Sequence, residues 1–288
     1  MFHGSIVALV TPMKTDETID QNAFSRLIEW HIEAKTNALV ISGSTGESST
    51  LTLDEKRHLF HLATKIAAGK IPVIAGTGTN CTHSTIELTK MAMEAGVDAC
   101  LIVTPYYNKP TQEGLYQHYH AIANAVPIPQ ILYNVPGRTS CDMLPETVER
   151  LTGISNIIGI KESGNIERVQ EILQGCHKSF HVYTGEDILA LDAIKIGAKG
   201  VISVTANVAP AKMSAMCNAA IQGDFATAEK INASLIGLHK NLFIESNPIP
   251  VKWALNQMGL IESGIRLPLT TLASQYHETV MNAMKQAS

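Results

Sequence analysis

Several features are missing from this chain of 288 residues. No apolar run approaches the roughly 20 residues that cross a bilayer. The first residues show no basic stretch followed by an apolar one, so we expect neither a membrane helix nor a signal peptide. The five cysteines are scattered and form no C-x-x-C pair, which excludes the usual zinc pattern and favours a reduced, cytoplasmic protein. A formal net charge of −4 provides no electrostatic case for a nucleic-acid partner.

Cofactor and metal motifs are also absent. Gly76-Thr77-Gly78 is not followed by the third glycine of a dinucleotide-binding fingerprint. His58 and His61 lie one helical turn apart, but no metalloprotease pattern surrounds them, and we interpret them as surface histidines. We therefore expect neither an organic cofactor nor a metal ion.

Short, β-branched apolar runs recur along the first 203 residues, with amphipathic segments between them. The hydrophobic share of 45% allows a large core, and runs that are apolar throughout are typical of strands buried on both faces of a parallel sheet. The eight predicted strands are Ser5–Val10, Ala38–Ser42, Ile71–Ala75, Ala99–Val103, Gln130–Asn134, Ile157–Ile160, His181–Tyr183 and Gly200–Ser203. Strands that alternate with helices in this number predict an α/β fold, a (β/α)₈ TIM barrel, while an open doubly wound sheet remains the structural alternative.

The strand pattern ends after Ser203, and only helical patterns follow. They are Ala211–Gln222, Phe225–His239, Pro250–Met258 and Leu269–Lys285. We expect a catalytic barrel over residues 1–223 and a C-terminal helical domain over residues 224–288. This helical part shows no obvious chemistry of its own.

Chemistry is expected where the strands of such a barrel end, because their carboxyl ends share one face. Lys161 closes an apolar strand there, and desolvation would favour its neutral amine, which can attack a ketone and form an electron-withdrawing iminium. The turn Gly43–Gly46 offers N–H groups and two hydroxyls to a carboxylate. Tyr133 is a candidate acid–base group, and Arg138 could clamp a second carboxylate.

Each of these residues also has an ordinary structural explanation. Lys161 and Arg138 could be solvated, the turn could only cap a helix, and Tyr133 could simply be packed.

Taken together, Gly43–Glu47, Tyr133–Thr139 and Gly159–Ser163 resemble the dihydrodipicolinate synthase/N-acetylneuraminate lyase family of class I aldolases. The resemblance extends from Gly4–Val7 and Thr11-Pro12 to the helical tail. It implies a (β/α)₈ barrel with a C-terminal helical domain, a Schiff base between pyruvate and Lys161, and no metal or organic cofactor.

The resemblance also assigns roles by position. Lys161 matches the Schiff-base lysine, and Tyr133, Thr45 and Tyr107 match a proton relay in which Tyr107 reaches a neighbouring subunit's site. Ser44 stands where synthases usually carry threonine. Arg138 indicates the synthase branch, in which it binds the carboxylate of aspartate semialdehyde. The further matches in the substrate pockets are Gly185 and Ile202.

The implied assembly is a homo-oligomer, with a tetramer of two dimers as the expected form. Ser48, Ser49, Asn80 and Tyr106 match the pocket at which lysine inhibits some relatives.

Leu53, Lys56 and Ser84 replace two histidines and a glutamate of that pocket, although Glu87 lies one helical turn beyond Ser84. Weak or absent feedback is therefore expected.

Two alternatives remain for the function. One is a pyruvate-dependent lyase of a 2-keto-3-deoxy sugar acid or N-acetylneuraminate, against which Arg138 argues. The other is a catalytically silent carboxylate-binding barrel, against which the combination of Lys161 and Tyr133 argues.

Overall fold

The computed structural model describes residues 2–288 and contains a closed barrel of eight parallel strands. The strands are β1 (Gly4–Ala8), β2 (Ala38–Ile41), β3 (Val73–Gly76), β4 (Ala99–Val103), β5 (Gln130–Asn134), β6 (Ile157–Glu162), β7 (His181–Thr184) and β8 (Gly200–Ser203). They follow one another around the barrel in sequence order, and β8 pairs with β1 in register Gly4↔Gly200 to Val7↔Ser203. This pairing confirms the barrel and excludes the open sheet.

Side chains that alternate along the strands divide the apolar residues into two clusters. One fills the barrel interior, and the other packs between the strands and the surrounding helices. The interior cluster contains Ile6, Ala8, Ala38, Val40, Ile74, Ala99, Leu101, Ile131, Tyr133, Val135, Tyr183 and Ile202. A barrel that is filled in this way leaves room for ligands only at its ends.

The helices run α1 (Gln21–Glu33), α2 (Leu53–Ala67), α3 (Thr82–Glu94), α4 (Gln112–Ala125), α5 (Pro136–Thr139), α6 (Pro145–Leu151), α7 (Ile166–Gly175), α8 (Ala190–Lys195), α9 (Pro210–Ile221), α10 (Phe225–Asn241), α11 (Ile249–Gln257) and α12 (His277–Gln286). Local signals explain several of their starts. Thr52 and Glu55 form a capping box at α2, and Pro145 is the first residue of α6.

The predicted helix Leu269–Lys285 is wrong in its first half, since α12 begins only at His277. Ala273 donates its N–H to the Glu245 carboxylate over 3.3 Å. The Ala273 N–H is therefore bonded to a residue distant in the sequence and not to a carbonyl of the preceding turn.

The chain turns sharply between α9 and α10. Gly223 has a φ of 82°, a conformation that favours glycine, and Asp224 caps α10 by accepting the N–H of Thr227. We propose this point as the division between a barrel of residues 1–223 and a helical domain of residues 224–288. No helix within residues 2–288 is long and apolar enough to cross a membrane.

Candidate active site

A cavity of about 220 Å³ opens at the carboxyl ends of the strands. Its walls come from the turns and strands that carry the sequence-predicted residues and from the helical tail. The lining includes Gly43, Ser44, Thr45, Tyr133, Arg138, Lys161, Ser163, Gly185, Glu186, Phe243 and Asn247. A larger cavity of about 310 Å³ lies between α1, α9 and α12, away from the strand ends, so its position does not match the usual site of this fold.

Lys161 lies within β6, because the strand continues two residues further than predicted and ends at Glu162. It is paired with Tyr133 on β5, and its Nζ atom lies 4.4 Å from the centroid of the Tyr133 ring. The side chain is only 6% exposed. The amine thus lies beside the aromatic ring in the cavity lining, largely shielded from solvent.

Gly185 leaves space for this lysine. A Cβ atom at position 185 would lie 2.8 Å from Lys161 Cε and 2.0 Å from Ser163 Oγ, too close for either atom. The Gly185 N–H donates to the Glu162 carbonyl over 2.7 Å, which keeps the backbone of this turn close to β6. A side chain at this position would displace the lysine.

The turn after β2 presents Ser44 at the cavity surface and buries Thr45 to 2% exposure. Glu47 donates its N–H to the Ser44 carbonyl over 3.1 Å, and Thr11 donates its hydroxyl to the Gly46 carbonyl over 2.7 Å. The sequence suggested that this turn enters a helix, which is wrong, since α2 begins only at Leu53. A ligand carboxylate would meet the hydroxyls and N–H groups of a turn here, without a helix dipole.

The helical tail contributes to the cavity, although the sequence showed no chemistry there. Asn247 donates its side-chain N–H to Thr45 Oγ1 over 2.9 Å, and Arg138 donates to the Asn247 carbonyl over 3.0 Å. Phe243 also lines the cavity. No local sequence pattern indicates that Asn247 contacts the turn after β2 and helix α5.

A buried ion pair joins the same tail to the turn after β2. Lys252 on α11 pairs with Glu47, and both side chains are almost fully buried. Arg266 adds its backbone N–H to the Glu47 carboxylate over 3.2 Å and pairs with Glu55 on α2. These contacts position the turn that carries Ser44 and Thr45.

Glu186 is a cavity residue that the sequence analysis did not identify. It follows Gly185 directly after β7 and lines the cavity together with Ser163. Burial raises the pKa of its carboxyl, although Lys161 and Arg138 oppose the shift. Its place directly after a strand end was the available signal.

Two sequence-predicted residues lie outside the cavity lining. The Tyr107 side chain is 88% exposed, and its N–H donates to the Thr139 carbonyl over 3.3 Å. Ile202 is fully buried in the barrel interior. Their proposed roles in the proton relay and the second-substrate pocket remain predictions.

Two of the predicted effector residues, Asn80 and Tyr106, lie at or beside the loop after β4. The Asn80 carbonyl accepts a hydrogen bond from the Asn108 side chain over 2.8 Å. Asn108 is two residues after Tyr106, which is half-exposed. Ser48 and Ser49 belong to the turns that precede α2.

Of the residues that depart from the inhibited pattern, Leu53 and Ser84 are exposed, whereas Lys56 is buried. Burial lowers the pKa of Lys56. Glu87, the possible substitute for the missing glutamate, pairs with Lys90 over 3.5 Å.

A closed parallel barrel with a lysine buried in a polar cavity at this face is the arrangement of a (β/α)₈-barrel enzyme with an amine nucleophile. Comparison with known proteins agrees. The sequence profile of the dihydrodipicolinate synthetase family matches residues 1–287, so the chain belongs to that family.

Two relatives are similar over their whole length. The 4-hydroxy-tetrahydrodipicolinate synthase of Alkalilimnicola ehrlichii is 58% identical, with 100% of this chain and 99% of that protein covered. The crystal structure of the chloride-inhibited dihydrodipicolinate synthase from Acinetobacter baumannii, complexed with pyruvate, superposes with a TM-score of 0.98 at 52% identity, and covers 100% of this chain and 99% of that one.

Proposed function

We propose that the chain condenses pyruvate with L-aspartate 4-semialdehyde to give 4-hydroxy-tetrahydrodipicolinate, a step of lysine and diaminopimelate biosynthesis. The observation that carries the proposal is Lys161, buried in the cavity beside the Tyr133 ring. Membership of the family and similarity to synthases along the whole chain support the choice of substrates.

The first stage is imine formation between Lys161 and the ketone of pyruvate. The pyruvate carboxylate binds at the turn of Ser44 and Thr45, two residues that line the cavity together with Lys161. The iminium makes the methyl group acidic, and Tyr133 with Thr45 moves the proton, so that an enamine forms. The imine supplies the electron sink, so the reaction needs neither a metal nor an organic cofactor.

The second stage is attack of the enamine on the aldehyde. Arg138 holds the carboxylate of this substrate, and its guanidinium is already oriented by the Asn247 carbonyl. Gly185 and Ile202 border the acceptor pocket in this proposal. Ring closure then expels Lys161 and releases the product.

Tyr107 completes the relay in a neighbouring subunit. Its exposure of 88% leaves the phenol available to a second copy of the chain. The proposal therefore includes a homo-oligomer, with a tetramer of two dimers as the expected form.

We place this reaction in the cytoplasm. All five cysteines are free in the structure, and three of them are buried, as a reducing compartment allows.

The test is reductive trapping. Borohydride with pyruvate is expected to attach one three-carbon group per chain, and peptide mapping is expected to place it on Lys161. Lys161→Ala is expected to lose the adduct, whereas substitution of an exposed lysine such as Lys65 is expected to keep it. An adduct on another residue would contradict the assignment.

A lyase of a 2-keto-3-deoxy sugar acid is the second candidate. It would use the same imine, but Arg138 in the cavity wall favours an acceptor with a carboxylate. An aldehyde panel with pyruvate as donor separates the two, because a sugar aldehyde would then be the better acceptor.

A further inference from the structure

The cavity contains a carboxyl group for which the reaction described so far has no use. Among the described residues that line the cavity, Glu186 is the only acid, and its charged neighbours are Lys161, Arg138 and Asp187. Glu186 is partly buried and lines the cavity together with Ser163. A partly buried acid in the lining of a substrate cavity is a candidate for binding a ligand or for taking part in the reaction.

The proposed acceptor, L-aspartate 4-semialdehyde, carries a group that matches this acid. Its ammonium and its carboxylate are attached to the same carbon atom. If Arg138 binds the carboxylate, the ammonium must lie within the same part of the cavity. Glu186 and Arg138 both line this cavity, so the acid and the proposed carboxylate-binding group share one space.

Ring closure requires the ammonium to lose a proton. An ammonium has no lone pair and cannot attack the iminium carbon, whereas the amine can. A group that accepts this proton must be basic and close to the nitrogen, and a carboxylate also pairs with the ammonium before the transfer. Arg138 cannot accept the proton, because it is already a cation. Lys161 cannot accept it either, because at this stage it forms the electrophilic iminium.

We propose that Glu186 is a catalytic residue that binds the ammonium of the acceptor and takes one of its protons for ring closure, an inference that rests on the proposed function. The amine lone pair forms a bond to the iminium carbon, and a proton passes from this nitrogen to Nζ of Lys161. The bond from carbon to Nζ then breaks with its electron pair going to Nζ. A protonated cyclic imine remains, which loses its proton to water, and Glu186 also releases the proton that it accepted to water.

The burial of Glu186 suits both parts of this role. A carboxyl whose pKa is raised by burial accepts a proton more readily than one in water. The position is also selective, since a neutral sugar aldehyde would leave the acid without a cationic partner. Glu186 thus favours an amino-acid aldehyde over an uncharged one.

The experiment compares Glu186→Gln, Glu186→Asp and, as a matched control, Glu167→Gln, which alters an exposed glutamate on α7. Turnover with L-aspartate 4-semialdehyde is expected to fall about 100-fold or more in Glu186→Gln, the usual size of a general-base contribution. Glu186→Asp is expected to retain more turnover, and Glu167→Gln is expected to match the parent chain. Thermal melting checks that each variant is folded.

The second arm uses 4-oxobutanoate, the same aldehyde without its amino group. It can undergo the aldol step but cannot close the ring, so borohydride is expected to trap a seven-carbon adduct on Lys161. The rate of this trapping is expected to be similar in Glu186→Gln and the parent chain, because no ammonium is involved.

Two results would overturn the inference: unchanged turnover in Glu186→Gln, or equal slowing of the turnover and of the 4-oxobutanoate adduct. Either result leaves the Schiff-base reaction intact. Failure of pyruvate alone to form an adduct in the parent chain would instead remove the proposed function, and the inference with it.

Discussion

The buried pair of Glu47 and Lys252 connects the helical tail to the turn of Ser44 and Thr45, and breaking it is the sharpest test of that connection. Lys252→Met removes the charge and keeps most of the side-chain volume. Glu47 is then left as a carboxylate with 0% side-chain exposure. Its remaining contact is the Arg266 N–H at 3.2 Å.

Removing one partner of a buried ion pair costs roughly 3–5 kcal/mol. Because the Arg266 N–H still stabilises Glu47, we expect about 3 kcal/mol, at the lower end of that range. At about 2–4 °C per kcal/mol for a large domain, the melting temperature is expected to fall by roughly 6–12 °C. The double variant Glu47→Gln/Lys252→Met lacks the unpaired charge and is expected to recover more than half of the loss.

The assay is a thermal melt of the two single variants, the double variant and Lys65→Met, which changes an exposed lysine on α2. Pyruvate saturation of imine formation is measured alongside, and Lys252→Met is expected to need more pyruvate because the turn is released. A Lys252→Met melt within about 1 °C of the Lys65→Met melt would refute the reasoning, since surface substitutions typically change stability by less than about 0.5 kcal/mol.

Three further outcomes are expected. Arg138→Ala should lower turnover with aspartate semialdehyde about tenfold or more, because a hydrogen bond to a charged group contributes roughly 1.5–3 kcal/mol. Imine formation with pyruvate should continue. Unchanged kinetics would support the interpretation of Arg138 as a solvated surface residue. Sedimentation at assay concentration should show an oligomer, and Tyr107→Phe should lower turnover without dissociating this oligomer. A fully active monomer would contradict the proposal that Tyr107 completes the proton relay of a neighbouring subunit. Lysine should inhibit weakly, with binding about ten- to a hundredfold weaker than in inhibited relatives, because Ser84 supplies no carboxylate and Glu87 is paired with Lys90. Submillimolar inhibition of initial rates would show that other residues form the lysine pocket.

The barrel could be predicted from the sequence because its information is local. A strand buried on both faces must be apolar at nearly every position, and this pattern placed β4, β5 and β8 at the residues where they are found. Parallel strands also end on a common face. Lys161, Tyr133, Ser44 and Arg138 could therefore be assigned to one cavity before any distance was known.

Other features depended on the tertiary structure. Asn247 meets Thr45 across 202 positions of the chain, and Lys252 meets Glu47 across 205. Contacts of this separation leave no periodicity in the sequence, because nothing in the spacing of either segment depends on the other. The same holds for Ala273, which bonds to Glu245 within the part of the expected helix that does not form. The partial burial of Glu186 likewise arises only when β6, β7 and α5 pack around one cavity, because exposure depends on the packed chain and not on one residue alone.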